Sequence, residues 1–294
     1  MGGLQFVNQV STSRLKVGDD LDSCTFEIQV SQEFMLEGRK VMLIDTPGFD
    51  DSNKSDTDVL KMIAAFLGES YVRTKVSSRA RLTEVLLRYS AGVKLAGVIY
   101  VHRISDDRFG GLAAKNFRMF RQLCGEKTLK NVIIMTNMWG RVTPQQGAAR
   151  EQQLRESYFK EAIKKGAQMC RHTNTPESAR EILRKILCNK PVVLQIQHEL
   201  VDLHKDIGQT GAGAELNREI WELVQKHQRE MRELKENMWK AMKERDEEYR
   251  QELEEEKRKA DEEMWKLRRD WTEMQGTLED LRKELKGYLR CTII

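Results

Sequence analysis

Asp45 ends the apolar run of "KVMLIDTPGFDD" (40–51), and Gly48 follows three residues later. In this pattern the carboxylate can hold magnesium through water. Gly48, without a side chain, can bring its N–H close to a terminal phosphate. Thr46 and Pro47 turn the chain between them. The plain alternative is a tight turn after a core strand. Thr25, in "SCTFEIQV", can ligate magnesium while triphosphate is bound and release it after hydrolysis; its plain alternative is a strand-start threonine. Asn137 lies near the end of "NVIIMTNMWG", where guanine-selective switches carry Asn-Lys-x-Asp. Met138 and Trp139 stand at the lysine and aspartate positions. Asn137 can tether the loop and Trp139 or Met138 can stack on a base, but guanine selectivity does not follow. His102 and Arg103 end another strand, and we read them as supports of the loop that hold Asp106 rather than as phosphate contacts.

A phosphate cradle reads Gly-x-x-x-x-Gly-Lys-Ser/Thr after a first strand. This chain opens "MGGLQFVNQVSTSRL". "FVNQVSTSRL" reads as the helix that follows a cradle. Gly2, Gly3, Leu4 and Gln5 supply neither the lysine nor the hydroxyl, and no strand precedes them.

The elements that must position these residues alternate. Thr25 to Leu36 alternates apolar and polar residues, as in a half-buried strand, and Lys40 to Asp45 reads as a strand buried on both faces. Ser55 to Leu67 has helical spacing, with Ser55 or Asp56 as its cap. "LAGVIYVHRI" (95–104) and 131–137 read as buried strands, followed by helices near Ala113–Cys124 and Gln145–Gly166. The expected class is α/β, a doubly wound and mostly parallel sheet.

Composition changes along the chain. Of 294 residues, 39% are hydrophobic and 33% charged, too polar for one compact body. The net charge of +4 is too small to imply nucleic-acid binding. Glu215–Arg290 carries 19 Lys+Arg and 22 Asp+Glu, hence −3, and the remainder 31 against 24, hence +7. The five cysteines (24, 124, 170, 188, 291) form no Cys-x-x-Cys pair, so a reducing, cytoplasmic setting is expected. There is no spanning apolar run and no secretory signal. "GQTGAGAE" breaks the pattern, which divides the chain into a body (1–207), a linker (208–214) and a helical tail (215–290). In the tail, apolar positions 260, 264, 267, 271, 274, 278, 281, 285 and 288 step by four and three, the seam of a coiled coil. A straight helix of that length reaches about 110 Å. It must fold back, pair with another chain or stay solvated, and pairing is the expectation.

"FVNQVS", "VGDDLDSCTFEIQV", "VMLIDTPGFDDSNKSDTDVLKMIAAFL", "KLAGVIYVHRISDDRFGG", "NVIIMTNMWG" and "MCRHTNTPESA" together resemble the G-domain, P-loop GTPase-like proteins abundant in mushroom-forming fungi. These are similar to the immunity-associated (GIMAP-type) GTPases and, more distantly, to septins. The resemblance spans roughly 5–210, and a coiled-coil tail is usual for the group. It implies a guanine-nucleotide domain using magnesium, with NTP hydrolysis. Asp45, Thr46 and Gly48 match its second phosphate motif and Thr25 its switch threonine. The first strand and cradle have no counterpart here, so a start truncated relative to the family is expected.

Two further departures stand out. The family runs from "AAFLGESY" into "AGVKLAGVIY", whereas 72–90 intervenes here with five Lys+Arg against one Glu. Its 19 residues equal 57 nucleotides, the size of a retained fungal intron; the alternative is a basic amphipathic helix. The final "CTII" (291–294) fits a prenylation signal on Cys291. A membrane surface would then be a partner, with help from Lys283, Lys286 and Arg290 because one lipid chain binds only marginally. Two functions follow: a GTP-binding switch that assembles through its tail and binds nucleotide poorly in this form, or a non-enzymatic scaffold with a degenerate domain.

Overall fold

The computed structural model describes residues 2–11, 13, 15, 28–49, 54–71, 94–244, 247–276 and 280. Thr25, the 72–90 segment, Cys291 and the seam positions 278, 281, 285 and 288 lie outside them.

Helix α1 (Gly2–Val10) leads to an antiparallel pair of broken strands: β1 (Gln29–Val30), β2 (Phe34–Leu36), β3 (Arg39–Val41) and β4 (Ile44–Asp45). Glu37 and Gly38 turn the chain, both with positive φ (51° and 75°). That is a primed hairpin turn, whose twist suits the flanking strands. Val30 faces Ile44 and Phe34 faces Val41, so three residues (31–33) lie opposite two (42–43). This is a bulge. Ser31 holds it: its N–H donates to Leu43 O (2.8 Å) and its Oγ accepts from Leu43 N–H (2.9 Å).

Helix α2 (Asp56–Tyr71) starts where Ser55 Oγ accepts from Asp58 N–H. Its Val59, Leu60, Ile63, Ala64 and Leu67 are buried, as their spacing predicts. Then come β5 (Val98–Arg103), α3 (Gly111–Cys124), β6 (Val132–Asn137), α4 (Pro144–Gln153), α5 (Lys160–Lys164), β7 (Gln168–Arg171) and α6 (Pro176–Leu187). Thr143 and Thr175 cap α4 and α6 through capping boxes, each with proline in the first turn. A π-helical turn (Leu154–Tyr158) separates α4 from α5, where one helix over 145–166 was expected.

Strands β5, β6 and β7 form a parallel sheet in that order. Val98, Tyr100, Val132 and Ile134 pack on one face with Phe117 of α3, Leu154 and Phe159. Ile99, Val101, Ile133 and Met135 pack on the other with Phe6 of α1 and Ala179, Ile182 and Leu183 of α6. Helices therefore cover both faces, and the chain is α/β with a parallel sheet.

The expectation of one wound sheet that includes the Asp45 strand is corrected. β4 pairs only with β1, antiparallel, and no described strand joins it to β5. Lys40–Asp45, expected to be buried on both faces, is half-exposed for the same reason. Among the described residues, side chains hold the hairpin beside the sheet. Ile28, Val30 and Ile44 share a cluster with Val98, while Val41 and Leu43 share another with Ile99 and Val101.

After α6, the short helix α7 (Gln195–Gln197) runs into a π-helical turn (His198–Asp202). The tail follows as α8 (Gly211–Glu244) and α9 (Glu247–Glu273). These run back on each other: His227 Nε2 of α8 meets Glu263 of α9 at 3.1 Å, and Met274 is buried with Ile207, Ala212 and Leu216. Ile207 N–H donates to Gly276 O (3.3 Å) and Gly208 N–H to Met274 O (3.0 Å). Of the three fates open to so long a helix, the described part folds back. Its seam residues Met264, Leu267 and Met274 face the chain's own α8 and body. The stretch 208–214, expected as a linker, is a packed joint; a Cβ on Gly213 would lie 1.8 Å from Ile207 O. Among the described residues, no helix is long and apolar enough to cross a membrane.

Candidate functional site

In a wound sheet ligands sit beyond the carboxyl ends of the strands. Here that rim holds Arg103 at the end of β5, Asn137 at the end of β6, Arg171 at the end of β7 and His172 just after it. β6 is buried throughout because it is the central strand.

Asn137 has only 4% of its surface exposed, and its Oδ1 has no hydrogen-bond partner among the described residues. A buried acceptor without a donor is uncommon in a folded chain and marks a place where a donor is wanted. This amide had been expected to tether a loop.

Trp139 is already engaged. Its Nε1–H donates to Thr136 O (3.0 Å), Arg171 lies over its ring at 4.4 Å, and a Cβ on Gly147 of α4 would come within 2.8 Å of the ring. Arg171 is in turn held by Glu151, with Nε at 3.0 Å from both carboxylate oxygens. The indole is thus a structural brace between β6, β7 and α4, and the base-stacking role open to it in the sequence is not what its present contacts serve. Met138 adopts a left-handed backbone (φ 61°) that aims the chain into this brace. Sequence reasoning missed the trio because Glu151, Arg171 and Trp139 come from three elements and share no local pattern.

His102 is buried between Phe109 (5.4 Å) and Phe159 (5.8 Å). Burial holds its pKa below the ordinary 6.5, against the opposing pull of Asp106. Arg103 Nε lies 3.4 Å from Asp106, the loop-holding role expected of it. His172 is also buried and its pKa lowered by burial. Its Nδ1 is 2.9 Å from Ser178 Oγ, and its ring meets Phe6 of α1 edge-on.

Asp45 ends β4 half-buried, with Thr46 and Gly48 exposed and Pro47 buried beyond it. The carboxylate faces the first turn of α1. A Cβ built on Gly3 would sit 2.0 Å from Asp45 Oδ1, so a larger residue there would push the carboxylate aside. A helix N-terminus favours an anion through its open N–H groups and dipole. Gly2 and Gly3 open α1 itself, whereas the sequence reading began that helix at Phe6. No known family model matches the chain, and no curated protein matches it.

The magnesium implied by the resemblance has one described donor, Asp45, since Thr25 lies outside the described residues. Among those residues no group of three or more His, Cys, Asp or Glu can hold a metal ion. A lone carboxylate still suits magnesium delivered with phosphate, because that ion keeps its waters and takes the remaining ligands from the phosphates.

Proposed function

We propose that the chain is a guanine-nucleotide switch domain of the G-domain, P-loop GTPase-like kind joined to a helical arm, and that it binds nucleotide weakly in this form. The observation that carries the reading is the approach of Asp45 to the first turn of α1 at Gly3. It joins the end of a strand, a carboxylate and a helix N-terminus in one place, as a magnesium–phosphate site requires. The unpartnered Oδ1 of Asn137 adds a second sign of an incomplete rim.

In this reading Asp45 holds magnesium through water and Gly48 offers its N–H to the terminal phosphate. Thr46 and Pro47 set the turn between them, and Thr25 is the second magnesium ligand. When bound, magnesium neutralises charge on the phosphates. Asn137 steadies the base-side loop. Weak binding follows from the missing cradle. Each charge-assisted hydrogen bond it would supply contributes about 1.5–3 kcal/mol, and losing several removes most of the about −8 kcal/mol of a micromolar site.

A second reading, a scaffold that binds no nucleotide, is favoured by the arm. Trp221, Trp239 and Trp265 are exposed by 53%, 66% and 63% on it, and exposed tryptophans suit partner contacts. Titration of a fluorescent GTP analogue with magnesium separates the two. The chain as written should bind more weakly than about 100 μM. A version with a strand and a Gly-x-x-x-x-Gly-Lys-Ser segment fused ahead of it should bind in the micromolar range and lose that affinity on Asp45→Ala. Failure of the fused version to bind at all supports the scaffold.

A further inference from the structure

Opposite the rim lies the base of the parallel sheet, where β5, β6 and β7 begin. Its connections converge on Asn131, which is buried. The Asn131 side chain donates from Nδ2 to Ala96 O and to Lys190 O, each at 2.9 Å. Leu95 exchanges both backbone hydrogen bonds with Val192 at 2.8 Å. A Cβ on Gly166 would lie 3.2 Å from Lys130 Cα. The residues that lead into the three strands, and those that follow α6, are thus drawn together.

Lysines gather on this base. Lys94, Lys127, Lys130 and Lys190 are all exposed, and among the described residues none of the four carries an ion pair. Lys127 and Lys130 lie three apart in a 3-10 helix (Glu126–Asn131), whose three-residue turn sets them on one side. Beside them Lys164 pairs with Glu161, while Arg121 and Lys165 share Glu126. Seven of these side chains are cationic and two, Glu126 and Glu161, are acidic.

The arm leads away from this end. Gly211, which opens α8, lies against Gln122 near the end of α3. Further along α8, Glu215 meets Arg118 at 2.7 Å and Glu219 meets Lys115 at 3.0 Å. α8 therefore climbs α3 from base to rim, and its 34 residues outrun the 14 of α3.

We propose that the lysine base is the face by which the body rests on an anionic lipid bilayer, with the rim and the arm turned toward solvent. Lysine is a hydrated point charge that asks for no fixed geometry, which suits headgroups that diffuse beneath it. Nucleic-acid sites add arginine forks or exposed rings for the bases. Here Arg121 is committed to Glu126, and the exposed rings are Tyr158, stacked on Phe109 ahead of α3, and the tryptophans of the arm. Each lysine near an anionic bilayer strengthens binding about fivefold, so the four supply about 500-fold. This face acts whether or not nucleotide is bound and whether or not Cys291 carries a lipid.

The test is flotation of the full, unlipidated chain with vesicles at about 0.1 M salt. Phosphatidylcholine vesicles containing about 30% phosphatidylserine should bind it at least about 100-fold more tightly than phosphatidylcholine alone. Lys94→Gln, Lys127→Gln, Lys130→Gln and Lys190→Gln together should remove most of that preference and leave the far-ultraviolet dichroism unchanged. The same change of charge on the arm, Lys235→Gln, Lys257→Gln, Lys259→Gln and Lys266→Gln, should leave binding as it was. Raising salt to about 0.5 M should release the unaltered chain. Equal binding to both vesicles, equal loss in both variants or retention at high salt overturns the proposal. Tighter binding of the unaltered chain to a DNA of about 20 nucleotides than to the serine vesicles overturns it in favour of a nucleic-acid face.

Discussion

Met274→Ala probes how the tail is disposed. Met274 is fully buried and packs with Ile207, Ala212 and Leu216, where α9 returns to the body. Truncating a buried methionine to alanine costs about 2–5 kcal/mol. Met274 sits at the end of a helix that can shift to fill part of the gap, so about 2–3 kcal/mol is expected. Its backbone bond from Gly208 N–H remains available. The assay is urea unfolding followed by far-ultraviolet dichroism at two protein concentrations about tenfold apart, with Trp265→Ala as control. Trp265 is 63% exposed, and its loss should stay within about 0.5 kcal/mol. Because Met274 docks within its own chain, the midpoint should fall equally at both concentrations. Tryptic cleavage at Lys257, Lys259 and Lys266 should also quicken. A midpoint that rises with protein concentration, or a Met274→Ala curve that overlays the Trp265→Ala curve, refutes the fold-back account.

Gly3→Ala should displace the Asp45 carboxylate, a cost opposed by the about 1 kcal/mol that alanine gains over glycine in a helix; with Asp45→Ala in place the same change should become stabilising, read as a coupling in a double-mutant cycle. Burial depresses His102 and His172 in the fold. Between their folded values and the ordinary 6.5 the unfolded chain binds more protons, so stability is complete above 6.5 and declines as pH falls below it. The urea midpoint should drop from about pH 7.5 to about pH 5.5, and His102→Phe should shrink that drop. Glu151→Gln should weaken the Arg171 pair. Arg171 is half-exposed, so the stability loss is limited to about 0.5–1 kcal/mol, and the change should register as altered tryptophan emission from Trp139.

Of the parallel sheet, β5, β6 and the start of the helix after each were legible because their signals are local, whereas β7 and α6 were not read from the sequence. "NVIIMTN" is apolar enough for a central strand, and α2 buries the residues its spacing marks. The capping threonines of α4 and α6 precede prolines that cannot extend a helix backwards. The meeting of Gly3 and Asp45 was not legible: Asp45 was marked as a site residue, Gly3 only as one that supplies no cradle group, and 41 residues lie between them. The brace of Trp139, Arg171 and Glu151 was invisible, since it depends on which strands are neighbours. The tail shows the limit of periodicity. A four-three repeat states that a helix has an apolar stripe, and it is equally satisfied by a neighbour from the same chain. The residues between α8 and α9 include neither glycine nor proline, so the sequence does not mark where the tail divides.

The return of α9 also decides where the chain's end is delivered. A straight tail would carry its last residues far from the sheet, whereas here Gly276 lies against Ile207. Cys291 is 15 residues on from Gly276, at most about 54 Å of chain when fully drawn out. A group carried at Cys291 would therefore lie within that reach of Ile207 and of the body.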